Sequence, residues 1–177
     1  KLIRARYTLY DKDTYPDAKR RDQAYLAEMR KLNRDYPNDP DIAALYASSY
    51  MSIQRWNYWD DQGEPISETL AVAEALERIM SKDLSHPGVL HLHIHLIEAS
   101  AEPERALVAA DNLEKTIPIV GHVVHMPSHI YVRVGQYQKA VEQNIRSQKV
   151  DIEFAEIWGD LPLPNLGLSL IHISEPT

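Results

Sequence analysis

An all-α fold of stacked antiparallel helix pairs is predicted by three observations. Apolar residues recur at the spacing of one helix face, while the 6 glycines and the prolines fall between the periodic segments. Seven of the eight histidines lie between His86 and His129. Within that stretch there is an internal repeat: His91 and His95 recur as His125 and His129, Ala106 as Ala140 and Leu107 as Val141, always at an offset of 34 residues. A period of 34 is the length of one helix–turn–helix repeat unit, and about three to four units are expected here. Residues 1–166 then form a single helical repeat domain.

Taken in order, Asp17 to Tyr36 reads as an amphipathic helix with Ala24, Leu26, Ala27, Met29, Leu32 and Tyr36 on its apolar side. Pro37-Asn-Asp-Pro40 stops it, and Pro40 opens a helix running to about Ile53. Small residues Ala43, Ala44, Ala47 and Ser48 admit a close neighbour. An aromatic and acidic loop follows, with Trp56, Tyr58, Trp59, Asp60 and Asp61, broken by Gly63 and Pro65. Ser67 to Met80 is the next helix, with Leu70, Ala73, Leu76, Ile79 and Met80 facing inward. His86-Pro87-Gly88 punctuates the chain before a helix over Val89 to Ala99. Ala101-Glu-Pro103 turns it into a partner helix from Glu104 to Thr116. The last unit repeats this plan, with one helix around His122 to Val134 and another from Gln136-Tyr137 to about Trp158. Gly135 supplies the turn, Tyr137 is expected between the helices, and Ala140 permits their close crossing. Pro127 either starts its helix or kinks it, since it removes one backbone hydrogen bond.

Composition narrows the function classes. Net charge is −7 from 19 basic and 26 acidic residues, which argues against nucleic acid or an anionic membrane as partner. No apolar run approaches the roughly 20 residues of a membrane span. With no cysteine there are no disulfides and no thiolate ligands, and the redox compartment stays open. No phosphate-binding glycine loop, serine nucleophile elbow or HExxH string is present, so catalytic residues are not assigned. A fragment truncated at both ends is expected. The chain opens on Lys1 in mid-pattern, and Leu168 to Thr177, LSLIHISEPT, resembles a translated reading frame of a sequencing-library adapter. Residues 167–177 are therefore set aside as a non-native tail.

The histidines carry the functional signal. His91 and His95 stand one turn apart on one helix face, and Glu98 extends the stripe. His125 and His129 repeat that geometry one unit later, with His122 a turn earlier. The offset of 34 aligns His91 beside His125 and His95 beside His129. Packed helices lie roughly 8–10 Å apart, so the imidazoles of two helices reach one centre. Imidazoles with a carboxylate suit Zn, Cu, Ni or Fe. The expected metal ligands are His91, His95, His125 and His129, with Glu98 or His122 as a further ligand or outer support. Clustered imidazoles repel as cations, so neutral forms are expected near pH 7. Arg133, a turn beyond His129, is placed to clamp an anionic ligand or to pair with a surface acid. Trp56 and Trp59 are placed either to close over a ligand or to pack on the end of the stack.

His86-Pro87-Gly88-x-x-His91-x-x-Ile94-His95, together with Gly121-His122-Val-Val-His125-Met126-Pro127-Ser128-His129-Ile130-Tyr131-x-Arg133-x-Gly135, resembles a group of bacterial tetratricopeptide-repeat proteins, over roughly residues 20–151. That resemblance implies an α-solenoid whose first helices line a concave, ligand-binding surface. His93 departs from the group's pattern, where an aromatic or aliphatic residue is usual, and it is left out of the site. Three classes stay open on this reading. They are a groove for a peptide, protein segment or small anionic ligand, a metal-binding protein, and a metal-dependent enzyme using the same histidines.

Overall fold

The computed structural model describes residues 1–158, and among them the only secondary structure besides one isolated bridge is helical. The domain limit at residue 166, the tail 167–177 and the ring of Trp158 lie outside the described residues. Helix α1 (Leu2–Tyr7) precedes α2 (Ala18–Asp35), whose first turn is capped by the Asp17 carboxylate accepting from the Lys19 N–H. Tyr25, Leu26, Met29 and Leu32 form the buried stripe of α2. Tyr36 does not belong to it. Tyr36 caps the helix outside the helical region and is exposed under the Lys1 ammonium.

Helix α3 (Pro40–Gln54) begins as the sequence requires, with Asp39 accepting from the Ile42 N–H and Pro40 in the first turn. Ala43 and Ala47 are fully buried where α3 meets its neighbours. The helix ends at Arg55 in the left-handed region, and Trp56 is left-handed too, with φ of 47° and 72°. The loop that follows is pinned from inside. Tyr50 Oη donates to the Ile66 carbonyl at 2.8 Å, and Thr69 Oγ1 donates to the Tyr58 carbonyl at 2.8 Å. Gly63, at φ 79°, packs so closely that a Cβ would sit 2.9 Å from Ala101 Cβ. A Gly63→Ala chain is therefore expected to lose about 1–3 kcal/mol of stability. Urea unfolding checks this, and an unchanged midpoint would show that the loop is not fixed there.

Helix α4 (Thr69–Met80) starts two residues later than the Ser67 expected from sequence, because Ser67 is left-handed at φ 55° and Glu68 is drawn aside. Glu68 pairs with Arg30 and accepts from Tyr46 Oη at 2.9 Å. The buried stripe is Thr69, Val72, Ala73, Leu76, Ile79 and Met80, which turns Leu70 outward, against its expected inward position. Helix α5 (Pro87–Ile97) is capped by His86, whose Nδ1 accepts from the Val89 N–H at 3.1 Å. A short 3-10 turn over Pro103–Ala106 leads into α6 (Leu107–Thr116) in place of one continuous helix from Glu104.

Pro127 divides the next helix. Helix α7 (Gly121–His125) and α8 (Pro127–Arg133) are joined through a helical Met126, so of the two expectations for Pro127 the helix start is the one seen. Gly135, at φ 76°, then closes α8, with the Gln136 N–H donating to the Tyr131 carbonyl at 2.8 Å. Helix α9 (Tyr137–Trp158) follows. Ala140 is buried as expected, but Tyr137 is mostly exposed and does not pack between helices.

Successive helices pack on one another, and α3 also touches α5, as α5 touches α8. These alternate helices make one layer, joined to the rest by a continuous apolar core that runs from Ala5 to Ala140. The layer sets the polar faces of α5, α7 and α8 side by side. No described helix is long and apolar enough to cross a membrane.

Candidate metal centre

Helix α5 has two faces with different chemistry. Leu90, Ile94 and Ile97 are fully buried in the core, while His91, His95 and Glu98 line the other face at the spacing of successive turns. His93 turns inward and is fully buried. Its Nε2 lies 3.1 Å from Glu77 Oε1, and Glu77 also accepts from Arg105 at 2.8 Å, so His93 belongs to a separate ion-paired cluster. Across from α5, α7 brings His122 and His125, and α8 brings His129.

His91, His95 and His122 converge, each offering a nitrogen within 4.8 Å of the others'. His91 Nε2 and His122 Nε2 are 3.1 Å apart. Two nitrogens on a tetrahedral zinc, each about 2.0–2.1 Å from the ion, are about 3.3 Å apart. His122 is thus the partner of His91, in place of the His125 expected from the offset of 34. That offset assumes equivalent, uninterrupted helices, whereas Pro127 divides α7 from α8. The other expected pair does meet, the His95 and His129 rings having centroids 5.6 Å apart.

Glu98 ties these rings together. Its Oε1 accepts from His95 Nδ1 at 3.1 Å and its Oε2 from His129 Nδ1 at 2.5 Å. Each Nδ1 therefore carries a proton, which makes Nε2 the nitrogen available to a cation. A carboxylate behind an imidazole is the usual outer support of a metal-ligating histidine. His125 is similarly held by a residue the sequence reading missed. Asn144 Nδ2 donates to the Ala140 carbonyl, so its Oδ1 faces His125 Nδ1 at 2.6 Å. Nothing in the repeat spacing marks Asn144, which stands out only as a polar residue one turn from Ala140 on α9.

Burial governs the charges. It pushes the His91 imidazole down to about 3, helped by its neighbours His95, His122 and His129. Burial likewise takes His125 to about 4 against the opposing hydrogen bond with Asn144, while His122, whose side chain is exposed at the rim, is lowered by partial desolvation and by His95 and His129 beside it. For Glu98 burial alone would raise the carboxyl, but hydrogen bonds and charge from His129 and His95 outweigh it and bring the value to about 2. At pH 7 His91, His122 and His125 are neutral and Glu98 is charged, which is the protonation a cation requires of ligands and their support.

The remaining expected site residues lie around this centre. Trp56 is exposed, its ring centroid 4.9 Å from that of His95 in an edge-on arrangement, so it forms one wall of the opening. Trp59 is half-buried and donates from Nε1 to the Leu96 carbonyl at 2.6 Å, bracing the loop on the back of α5. Arg133 is exposed at the end of α8 and donates to the Ser100 carbonyl at 3.2 Å, pairing with backbone in place of an acid. No family model, curated protein or solved structure matches the chain.

Proposed function

We propose that this chain binds a first-row transition-metal ion, zinc or a chemically similar divalent cation, on His91, His95 and His122. The observation that carries this reading is the convergence of three ligand nitrogens from two helices within 4.8 Å. The neutral His91 and His122 imidazoles and the charged Glu98 carboxylate behind His95 add support. Three imidazoles leave the fourth tetrahedral position for a water or an anionic ligand beside Trp56. The scaffold is read as a tetratricopeptide-like stack, supported by the repeat of 34 and by the layer formed from alternate helices.

Equilibrium dialysis against zinc followed by elemental analysis tests the proposal. Tightly bound stoichiometric zinc is expected in the chain, and replacing His91, His95 and His122 together by alanine is expected to remove one ion of it. Absence of stoichiometric zinc, or a zinc content and affinity unchanged in the triple variant, would refute the reading. A metal-independent groove for a peptide or anionic segment would then be favoured. That groove would lose affinity in histidine-to-glutamine variants equally with and without chelator.

Trp56 supplies an optical readout of the same event. Copper(II) bound at His95 is expected to quench the Trp56 fluorescence strongly, because the two rings are in contact. Trp56→Phe should remove most of the quenchable signal, while Trp59→Phe should not. Equal quenching in wild type and Trp56→Phe would place the bound copper elsewhere.

A further inference from the structure

One pair of imidazoles is left over by the three-histidine centre, and its geometry is unusual. His125 and His129 stand one turn apart across the Met126–Pro127 joint, with their Nε2 atoms 3.0 Å from each other. Both Nδ1 protons are already committed. Asn144 Oδ1 takes that of His125, and Glu98 Oε2 takes that of His129. With both Nδ1 atoms turned to acceptors, the two Nε2 atoms are left facing each other, an arrangement that calls for a proton or a cation between or beside them. The separation is close to the roughly 3.3 Å edge of a tetrahedral zinc site. His125 is almost fully buried and held from behind, whereas His129 is partly exposed, so the pair opens toward solvent on the His129 side.

We infer that His125 and His129 form a second divalent-cation site, next to the first and sharing Glu98 with it. The inference rests on reading the histidine hollow as a metal centre. Two imidazoles fill half of a tetrahedral coordination shell, so waters or an anionic ligand complete it. Glu98 is a positioning residue common to both sites, since one of its oxygens holds His95 and the other holds His129. Two dications near one carboxylate repel each other, so the two-histidine site is expected to be the weaker by at least about tenfold.

Titration of the metal-free full chain with zinc chloride in a calorimeter, with cobalt(II) absorption as a second readout, separates the two sites. Wild type is expected to take up two zinc ions in distinct phases. His129→Gln, at a partly exposed position, should lose the weaker phase and keep the tighter one within about threefold. His122→Gln, at an exposed position, should weaken the tighter phase and leave uptake of one ion. Far-ultraviolet circular dichroism of each metal-free variant reads folding independently of metal. Should His129→Gln fail to fold, Asn144→Leu, which frees the His125 ring from the other side, is expected to weaken the same phase. A single ion in wild type that His122→Gln abolishes and His129→Gln spares would overturn this inference and leave the three-histidine centre standing. One ion lost equally in both variants would also overturn it, because it would mean a single shared centre. One ion lost only in His129→Gln would support the second site and overturn the first.

Discussion

Replacing Glu98 by leucine is expected to lower zinc affinity by about 10–100-fold although Glu98 does not itself hold the ion. The carboxylate accepts from both His95 and His129 and thereby fixes their protons on Nδ1. Without it, the His95 ring is free to rotate and to change tautomer, so binding zinc must also order the ring. Leucine leaves two partly buried N–H groups without an acceptor, which costs about 1–3 kcal/mol of folding stability as well. Glu98→Gln retains one acceptor and is expected to fall between wild type and leucine in affinity. Calorimetric titration, with thermal melts in chelator to read stability separately, decides the matter. Affinity within about twofold of wild type in Glu98→Leu would show that the carboxylate does not orient a ligand.

Acid should destabilise the metal-free protein earlier than its carboxylates alone would do. His91 and His125 have folded values of about 3 and about 4, below the 6.5 of an unfolded histidine. Below pH 6.5 the unfolded chain therefore binds protons that the folded chain does not, and stability falls as pH falls. The loss continues until the folded values are reached. Glu98, depressed from 4.5 to about 2, acts in the same direction over a lower window, its contribution being lost as pH falls below 4.5. At pH 4.5 each histidine should have cost about 1–2 kcal/mol, after allowance for partial solvent screening. Urea midpoints in chelator between pH 7.5 and 4.5 should decline steadily. His91→Gln and His125→Gln should each flatten the decline. Midpoints independent of pH over that range, or equal slopes in both variants, would contradict the burial of neutral imidazoles.

Much of this arrangement was legible in the sequence because it follows from helical periodicity. His91, His95 and Glu98 lie at successive turns of α5, and no tertiary information is needed to place them on one face. Asp39 with Pro40, and Gly135 after α8, announced helix ends that the structure also has. Register between helices was less legible. An offset of 34 pairs His91 with His125 only for straight, equivalent helices, and Pro127 breaks that equivalence, so His122 faces His91. Local pattern points Leu70 and Tyr137 inward, yet the start of α4 after the left-handed Ser67 and the turn at Gly135 leave both exposed. Asn144 carried no signal, since its role depends on a contact between α9 and α7 that no spacing encodes.

X-ray absorption at the zinc edge of the chain loaded with one equivalent of zinc tests the central claim most directly. The predicted result is a shell of nitrogen and oxygen at about 2.0–2.1 Å with the outer scattering of about three imidazoles, reduced by one in His122→Gln. An all-oxygen shell without imidazole scattering would contradict it.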